Sequence, residues 1–279
     1  LLRVDKPEVE KGETVFKVKD LTVKDDLDVI RVKNVNLEIC SGEILGIAGV
    51  TGNGQTELLE ALSGIRNVES GNIELFGETI SQKDNYLNPR MLKEKGLAHV
   101  PEDRQRMGLV TDFKAYENLI FGYQDQEPYS KSSILNHKEI IEYSNKIMKE
   151  YDVRPSSPNF LKKNNEIKNA NKLISLLKVK CEDSRQDIGD LSGGNQQKII
   201  LSRELNEKPK VLLVGQPTRG VDIGAIEFIH QRLIDMRNKG AAILLASVEL
   251  EEVLSLSDRI IVMFDGKIVG EKVNKNVTD

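Results

Sequence analysis

Apolar and polar residues alternate from Val15 to Val23 and again from Val29 to Ile39. That is the spacing of half-buried antiparallel strands, with Lys24-Asp25-Asp26 as the polar turn between them. At Ile44 the pattern changes. Ile44 to Ala48 is a short apolar strand, followed at once by a glycine loop and a helical run from Thr56 to Leu62. Val211 to Val214, Ala242 to Ala246 and Ile260 to Phe264 are continuous apolar runs, as expected of strands buried on both faces of a parallel sheet. Between the first two of these, Ile226, Ile229, Leu233 and Met236 recur at i, i+3, i+7 and i+10, and Gly240 is placed to end that helix. Strands alternating with helices in this way predict a doubly wound α/β core.

The middle of the chain, roughly Asp103 to Gly189, reads as a mainly helical subdomain. Ile140, Ile141, Ile147, Met148 and Tyr151 mark one helix after an Asn136 cap, and Leu173, Ile174, Leu176 and Leu177 mark another. Leu161 to Asp190 also carries the polar stretch Lys162-Lys163-Asn164-Asn165, read as a solvated surface excursion. There is no internal repeat.

Composition narrows the function classes. With 279 residues and 39% hydrophobic content the chain can bury a core as one large or two small domains. Charged residues make up 30%, yet the net charge is only -4, so no basic footprint points to nucleic acid. Trp is absent and aromatics are 5%, which disfavours a base-stacking surface. Cys40 and Cys181 have neither a CxxC partner nor a His nearby in sequence and read as free thiols of a cytosolic protein. No apolar run reaches membrane-spanning length, and Leu1-Leu2-Arg3 is not a signal peptide. The missing initiator Met predicts a piece of a longer chain, with residues 1–11 as a linker from a preceding domain. His99, His137 and His230 lack metal-ligand spacing and read as surface or core histidines.

Three segments carry candidate chemistry. Gly49-Val50-Thr51-Gly52-Asn53-Gly54-Gln55-Thr56 has the spacing of a phosphate-binding P-loop, G-x-x-x-x-G-K-[ST], except that Gln55 replaces the Lys. In that motif backbone NH groups and the helix start hold the phosphates, Lys adds a full charge, and the Thr hydroxyl holds Mg²⁺. Gln donates hydrogen bonds but brings no charge. Leu191-Ser192-Gly193-Gly194-Asn195-Gln196-Gln197-Lys198 puts a Ser and two glycines at the start of an amphipathic run, a second phosphate-binding helix start. The third segment, Val211-Leu212-Leu213-Val214-Gly215-Gln216-Pro217, is an apolar strand where an acidic end would hold Mg²⁺ and the attacking water. Gly215 has no carboxylate, and Gln216 cannot accept a proton as a general base. Arg104-Gln105-Arg106 reads as a solvated loop rather than a phosphate clamp.

Together with Val100-Pro101-Glu102-Asp103-Arg104, Gln216-Pro217-Thr218-Arg219-Gly220 and Ala225-Ile226-Glu227-Phe228-Ile229-His230, these motifs make the chain resemble an ABC importer ATPase of the ribose, galactose and nucleoside type. The resemblance runs from about Val15 to Gly270. It is greatest to the C-terminal, degenerate nucleotide-binding domain of tandem ATPases that power purine-nucleoside or simple-sugar uptake. It implies an α/β ABC nucleotide-binding domain over residues 1–279. A RecA-like parallel core with an antiparallel β edge would occupy 12–102 and 205–275, and a helical subdomain with the signature motif 103–204. The excursion before the signature is longer than the family's usual linker. Val248 stands where many members place the His that contacts the γ-phosphate, and Glu102 where most have the Gln that reaches the metal and the membrane domain.

On this resemblance ATP would be cradled by Gly49, Thr51, Gly52, Asn53, Gly54, Gln55 and Thr56, with Thr56 a weak Mg²⁺ ligand. The degenerate positions Glu102, Gly215, Gln216 and Val248, with Gln55, imply a site that does not turn over and whose nucleotide binding is weak and little dependent on metal. Val29 or Ile30 would offer adenine only an apolar surface, because no aromatic lies between Phe16 and Gly49. Head-to-tail pairing of two such domains would carry Ser192, Gly193, Gly194 and Asn195 to the partner's γ-phosphate, with Asp222 across the same interface or simply a helix cap before Ile223. The implied partners are a second ABC nucleotide-binding domain, the N-terminal half of the same chain; integral membrane permease subunits; and, indirectly, an extracytoplasmic substrate-binding lipoprotein. No nucleic acid is implied. The protein would sit peripherally on the cytoplasmic face of the plasma membrane. The alternative is a nucleotide-sensing binding module without transport; a soluble ABC protein of translation or DNA repair would show a basic surface or a coiled-coil insertion.

Overall fold

The computed structural model describes residues 6–81, 87–131, 133–153 and 184–274. The helix expected around Leu173 to Leu177, the Lys162 to Asn165 stretch, most of the 161–190 excursion and Cys181 lie outside the described residues.

In chain order the elements are β1 (Thr14–Lys24), β2 (Ile30–Cys40), β3 (Ile44–Ala48), α1 (Gln55–Leu62), β4 (Ser70–Leu75) and β5 (Glu78–Ser81). Then come α2 (Pro89–Glu94), β6 (Leu97–Val100), α3 (Ala115–Leu119), β7 (Ser130–Lys131), β8 (Ile134–Leu135), α4 (His137–Glu150) and α5 (Gly193–Asn206). The chain continues with β9 (Val211–Gly215), α6 (Ile223–Asn238), β10 (Ala242–Ala246), α7 (Leu250–Leu256), β11 (Arg259–Phe264) and β12 (Lys267–Val273). They form two compact units, one of residues 1–108 with 204–279 and one of residues 109–203.

The first unit holds two sheets. A six-stranded sheet in the order β12-β11-β3-β10-β9-β6 is parallel except for β12. A four-stranded antiparallel sheet has the order β2-β1-β4-β5. Every residue of β3, β9 and β10 is buried, the reason those runs carry no polar alternation. Leu58, Leu59 and Leu62 of α1 join Leu45, Ile47 and Leu213 of the parallel sheet and Phe16 and Ile39 of the antiparallel one in a single apolar core. The parallel register aligns Val100 with Val214, Gly215 with Ala246, and Ala246 with Ile47. The loops leaving β6, β9, β10 and β3 therefore emerge at one edge, where ligands of open α/β sheets bind.

Residues 6–11, expected to be a linker, are tied to this unit. Arg237 donates to the Pro7 carbonyl at 2.7 Å, and Lys6 lies 3.5 Å from Asp258.

The second unit is helical, with a short β7-β8 hairpin. Asn136 caps α4 through the Glu139 amide, as its position before the apolar run predicts. Tyr129 and Tyr143 meet edge to face at 4.9 Å beside Ile120, Tyr123 and Ile140. Buried Asn118 organises the Leu109–Lys114 segment, accepting from Val110 N at 2.9 Å and donating to Val110 O at 3.0 Å.

Candidate functional site

The loop from Gly49 to Gln55 is a rigid turn between β3 and α1. Gly54 caps α1 in a left-handed conformation, and a Cβ there would meet the Arg31 carbonyl at 2.3 Å, so only glycine fits. Asn53 holds the loop to the β11–β12 turn: its Oδ1 accepts from Asp265 N at 2.7 Å and its carbonyl from Gly266 N at 3.1 Å. The same turn receives Lys33 from β2, which pairs with Asp265 at 2.7 Å. Both sheets thus fix the loop, while Thr51 and Gly52 stay exposed at its tip.

Gln55 is turned onto the loop itself. Its amide donates to the Val50 carbonyl at 3.2 Å, the acceptor also used by Asn53 Nδ2 at 2.9 Å. The side chain is spent on the loop's own backbone.

Glu102, Gly215, Gln216 and Val248 come together beside this loop. Thr56 Oγ1 donates to Glu102 Oε2 at 2.6 Å, and Arg219 Nη1 lies 3.5 Å from Glu102 Oε1. Gly215 lies against Glu102, and Gln216 Oε1 accepts from Val248 N at 3.3 Å. Gln216 itself sits at φ 47 with its amide bound to the Ala246 carbonyl, bridging the ends of β9 and β10. A cavity of about 230 Å³ is lined here by Thr56, Glu102, Arg219 and His99, and burial pushes the His99 imidazole down to about 4, so it is neutral.

Arg104-Gln105-Arg106 differs from its expected loop. It opens a π-helical turn, Arg104–Gly108, capped by Asp103 Oδ1. Gln105 and Arg106 are exposed, but Arg104 is half-buried and donates to the Arg219 carbonyl at 2.6 Å. That bond ties the segment after β6 to the segment after β9, and nothing in the spacing of either motif signals it.

Val29 and Ile30 are exposed, and Leu27 joins them at 80% exposure. Sequence reasoning missed what shapes this ledge. Asp25 accepts from the Leu27 and Val29 amides, each at 2.9 Å, and from Arg31 Nε at 2.7 Å, and the Arg31 hydrogen bond holds its carboxyl below the usual range. An Asp that opens a polar turn two residues before Leu27 and four before Val29 is the signal that could have found it.

Ser192 to Asn195 belong to the second unit. Exposed Ser192 stands just before α5, and its hydroxyl accepts from the Asn195 backbone NH at 3.4 Å and its side-chain amide at 3.0 Å. It is an N-cap on a 14-residue helix. Gln196 anchors the start of that helix by donating to the Ile188 carbonyl at 3.2 Å. Asp222, in the first unit, caps α6 through Ala225 N at 3.0 Å. His230 is buried and pairs with Glu252 at 2.8 Å. Among the described residues no cluster of His, Cys, Asp and Glu could hold a metal, and no helix is long and apolar enough to cross a membrane.

The family model described as ABC transporter matches residues 32–219. The guanosine import ATP-binding protein NupO of Bacillus subtilis is 39% identical over 99% of this chain and 48% of its own length. The glucose import ATP-binding protein TsgD13 of Haloferax volcanii is 34% identical over 97% of this chain and 44% of its own length. The chain spans about half the length of the curated relatives it matches. Among solved structures, the ATP-binding cassette MJ0796 in its dimeric, ADP- and phosphate-bound post-hydrolysis state has a TM-score of 0.68 at 22% identity, covering 94% of this chain and 99% of that one. The fold is that of an ABC ATPase cassette.

Proposed function

The chain belongs to the ABC transporter family, and from that premise we propose that it is the non-hydrolysing nucleotide-binding domain of an asymmetric importer ATPase for nucleosides or sugars. It corresponds to the C-terminal half of a tandem chain. The observation that carries this reading is the state of the groups beside the loop: Gln55 and Gln216 are each bound to backbone, at Val50 and Val248, in place of groups that would act on ATP. Neither amide can take a proton from water, and Val248 has no ring nitrogen to offer a phosphate. ATP would bind on the Gly49–Thr56 loop with its base against Leu27, Val29 and Ile30.

The helix start after Ser192 keeps what a phosphate site needs: an exposed hydroxyl, two glycines and the positive end of a helix macrodipole. We infer that Ser192, Gly193, Gly194 and Asn195 act in trans on ATP held by a second nucleotide-binding domain, with Asp222 at the same interface. Stabilising charge on the transferred phosphoryl group there is the work of pre-placed donors. The other partners of this reading are membrane permease subunits and, through them, an extracytoplasmic binding lipoprotein. The domain is placed peripherally at the cytoplasmic face.

The test is phosphate release by this chain alone and by the assembled transporter. The chain alone is expected to stay at background and the transporter to turn over ATP. Steady release by the chain alone that Thr56→Ala abolishes would overturn the non-hydrolysing assignment.

A further inference from the structure

The buried pair of His230 and Glu252 leaves two groups over. His230 on α6 and Glu252 on α7 are 4% and 5% exposed, and His230 Nε2 lies 2.8 Å from Glu252 Oε1. A carboxylate only accepts, so the hydrogen of that bond is on Nε2, and in the neutral ring Nδ1 keeps a free lone pair. Among the described residues neither His230 Nδ1 nor Glu252 Oε2 has a hydrogen-bond partner, although both atoms are buried. Two buried acceptors without a donor are costly, and both call for N–H groups from outside the chain.

Both residues line a cavity of about 550 Å³, the size of a small-molecule site. Exposed Glu249 and Glu251 stand in its wall with Glu252, and Ile226 and Val248 supply apolar surface. Arg219 borders it too, but its guanidinium is engaged by Glu102, 3.5 Å away. Carboxylates at 249, 251 and 252 disfavour an anion. Nor do they converge on one point: among the described residues no set of His, Cys, Asp and Glu could hold a metal ion. Negative charge spread along a partly apolar wall fits an elongated organic cation with a charge at each end.

We propose that this cavity binds an aliphatic diamine. One ammonium donates to Glu252 Oε2 and His230 Nδ1 at the buried end, the methylene chain lies on Ile226 and Val248, and the second ammonium is held by Glu249 and Glu251 at the exposed end. A primary ammonium carries three N–H donors and no acceptor, so one group serves both orphaned acceptors, where a hydroxyl could serve only one. The bound amine ties α6 to α7, the helices that follow Asp222 and Val248. It makes no use of the Gly49–Thr56 loop, so the site stands whether or not this chain binds nucleotide.

The experiment is isothermal titration calorimetry of the chain with 1,4-diaminobutane, n-butylamine and 1,4-butanediol. The diamine is expected to saturate a single site, n-butylamine to bind about threefold to fivefold more weakly for want of the exposed-end pair, and the diol to give no binding heat. Glu252→Gln should weaken the diamine about tenfold or more by removing a charge-assisted bond. Glu249→Gln/Glu251→Gln should bring the diamine down to the affinity of n-butylamine and leave n-butylamine unchanged, a split that loose attraction of cations to an acidic surface does not give. Ile226→Trp, which fills the cavity from a half-buried position, should abolish binding and serves as the second variant if Glu252→Gln does not fold. No saturable binding of the diamine, equal affinity for the diamine and n-butylamine, binding of the diol as tight as the diamine, or undiminished binding in Glu252→Gln or Ile226→Trp overturns the proposal.

Discussion

The side-chain oxygen of Gln216 accepts a hydrogen bond from the backbone nitrogen of Val248 at 3.3 Å, joining the ends of the adjacent strands β9 and β10. A carboxylate placed there meets the same donor. Gln216→Glu is therefore expected to keep the contact as a charge-assisted bond and to leave ATP hydrolysis by the chain at background, because Gln55 still lacks charge and Val248 still lacks a ring. Adding Val248→His should not change this. Phosphate release measured on the single and double variants checks it. A rise in either variant that Thr56→Ala removes would mean that these one or two substitutions suffice for activity.

Gly215 is expected to resist enlargement for a reason separate from chemistry. A methyl group there meets Leu59 Cδ1 and the Glu102 backbone nitrogen, each at 3.1 Å, and the second neighbour is backbone with little room to move. Gly215→Ala should cost about 1–2 kcal/mol through overpacking, lowering Tm by roughly 2–6 °C. Differential scanning calorimetry decides it. An unchanged Tm would show that the ends of β6 and β9 can part, and that a side chain on β9 is compatible with Glu102.

The parts of this fold that were legible beforehand are those whose burial follows from short-range pattern. β3, β9 and β10 are continuous apolar runs because both faces of the parallel sheet are covered, and β1 and β2 alternate because one face is not. β12 was not legible: it is an edge strand, mostly exposed, whose Gly270, Glu271 and Lys272 obey no burial constraint. β6, four residues ending in His99-Val100, is too short to announce itself. The site divides in the same way. Loop and helix-start motifs are local and could be read directly. The contact of Thr56 with Glu102, and of Arg104 with the Arg219 carbonyl, depends on β6 lying beside β9, a pairing that crosses the whole helical unit in sequence.

Arg259 fastens four strands. Its guanidinium contacts Glu43 at 2.9 and 3.2 Å and Glu271 at 2.6 Å and donates to the Glu38 carbonyl, so β2, the start of β3, β11 and β12 converge on it. Burial alone would raise the Glu43 carboxyl, but the hydrogen bonds from Arg259 and from Cys40 N outweigh it and hold it below the usual range. Arg259→Met should leave Glu43, 2% exposed, without its cation and cost about 3–5 kcal/mol. Urea unfolding at pH 7 measures the loss. Glu43→Gln/Arg259→Met should recover part of it, and failure to recover any would place the cost in the Arg259 bonds to Glu38 and Glu271.

His99 gives the first unit an acid sensitivity of defined sign. Burial lowers its folded pKa from 6.5 to about 4, so the unfolded chain binds the proton first as pH falls. Its contribution is complete above about pH 6.5, declines as the pH drops, and is gone below about 4, a change of roughly 1–3 kcal/mol. His99→Gln should flatten stability between those limits. Unfolding free energies at pH 7, 5.5 and 4.5 test this, and parallel curves for the two proteins would show that the imidazole titrates alike in the folded and the unfolded chain.

The helix start after Ser192 yields the prediction that separates the two sites of the proposed asymmetric pair. Ser192→Arg puts a long cation in place of the capping hydroxyl, and Gly194→Asp a negative charge on a buried position at the helix start. Either should remove donors that stabilise charge on the partner's γ-phosphate, at a cost on the order of 3 kcal/mol or about a hundredfold in rate. Gln216→Ala touches only the site whose groups are already engaged with Val248 and should leave most of the turnover in place. The measurement is phosphate release by the assembled transporter in membranes, with the folding of each variant verified by its thermal melt. If Gln216→Ala stops turnover as completely as Ser192→Arg, hydrolysis takes place on this chain's own loop, and the asymmetric assignment fails.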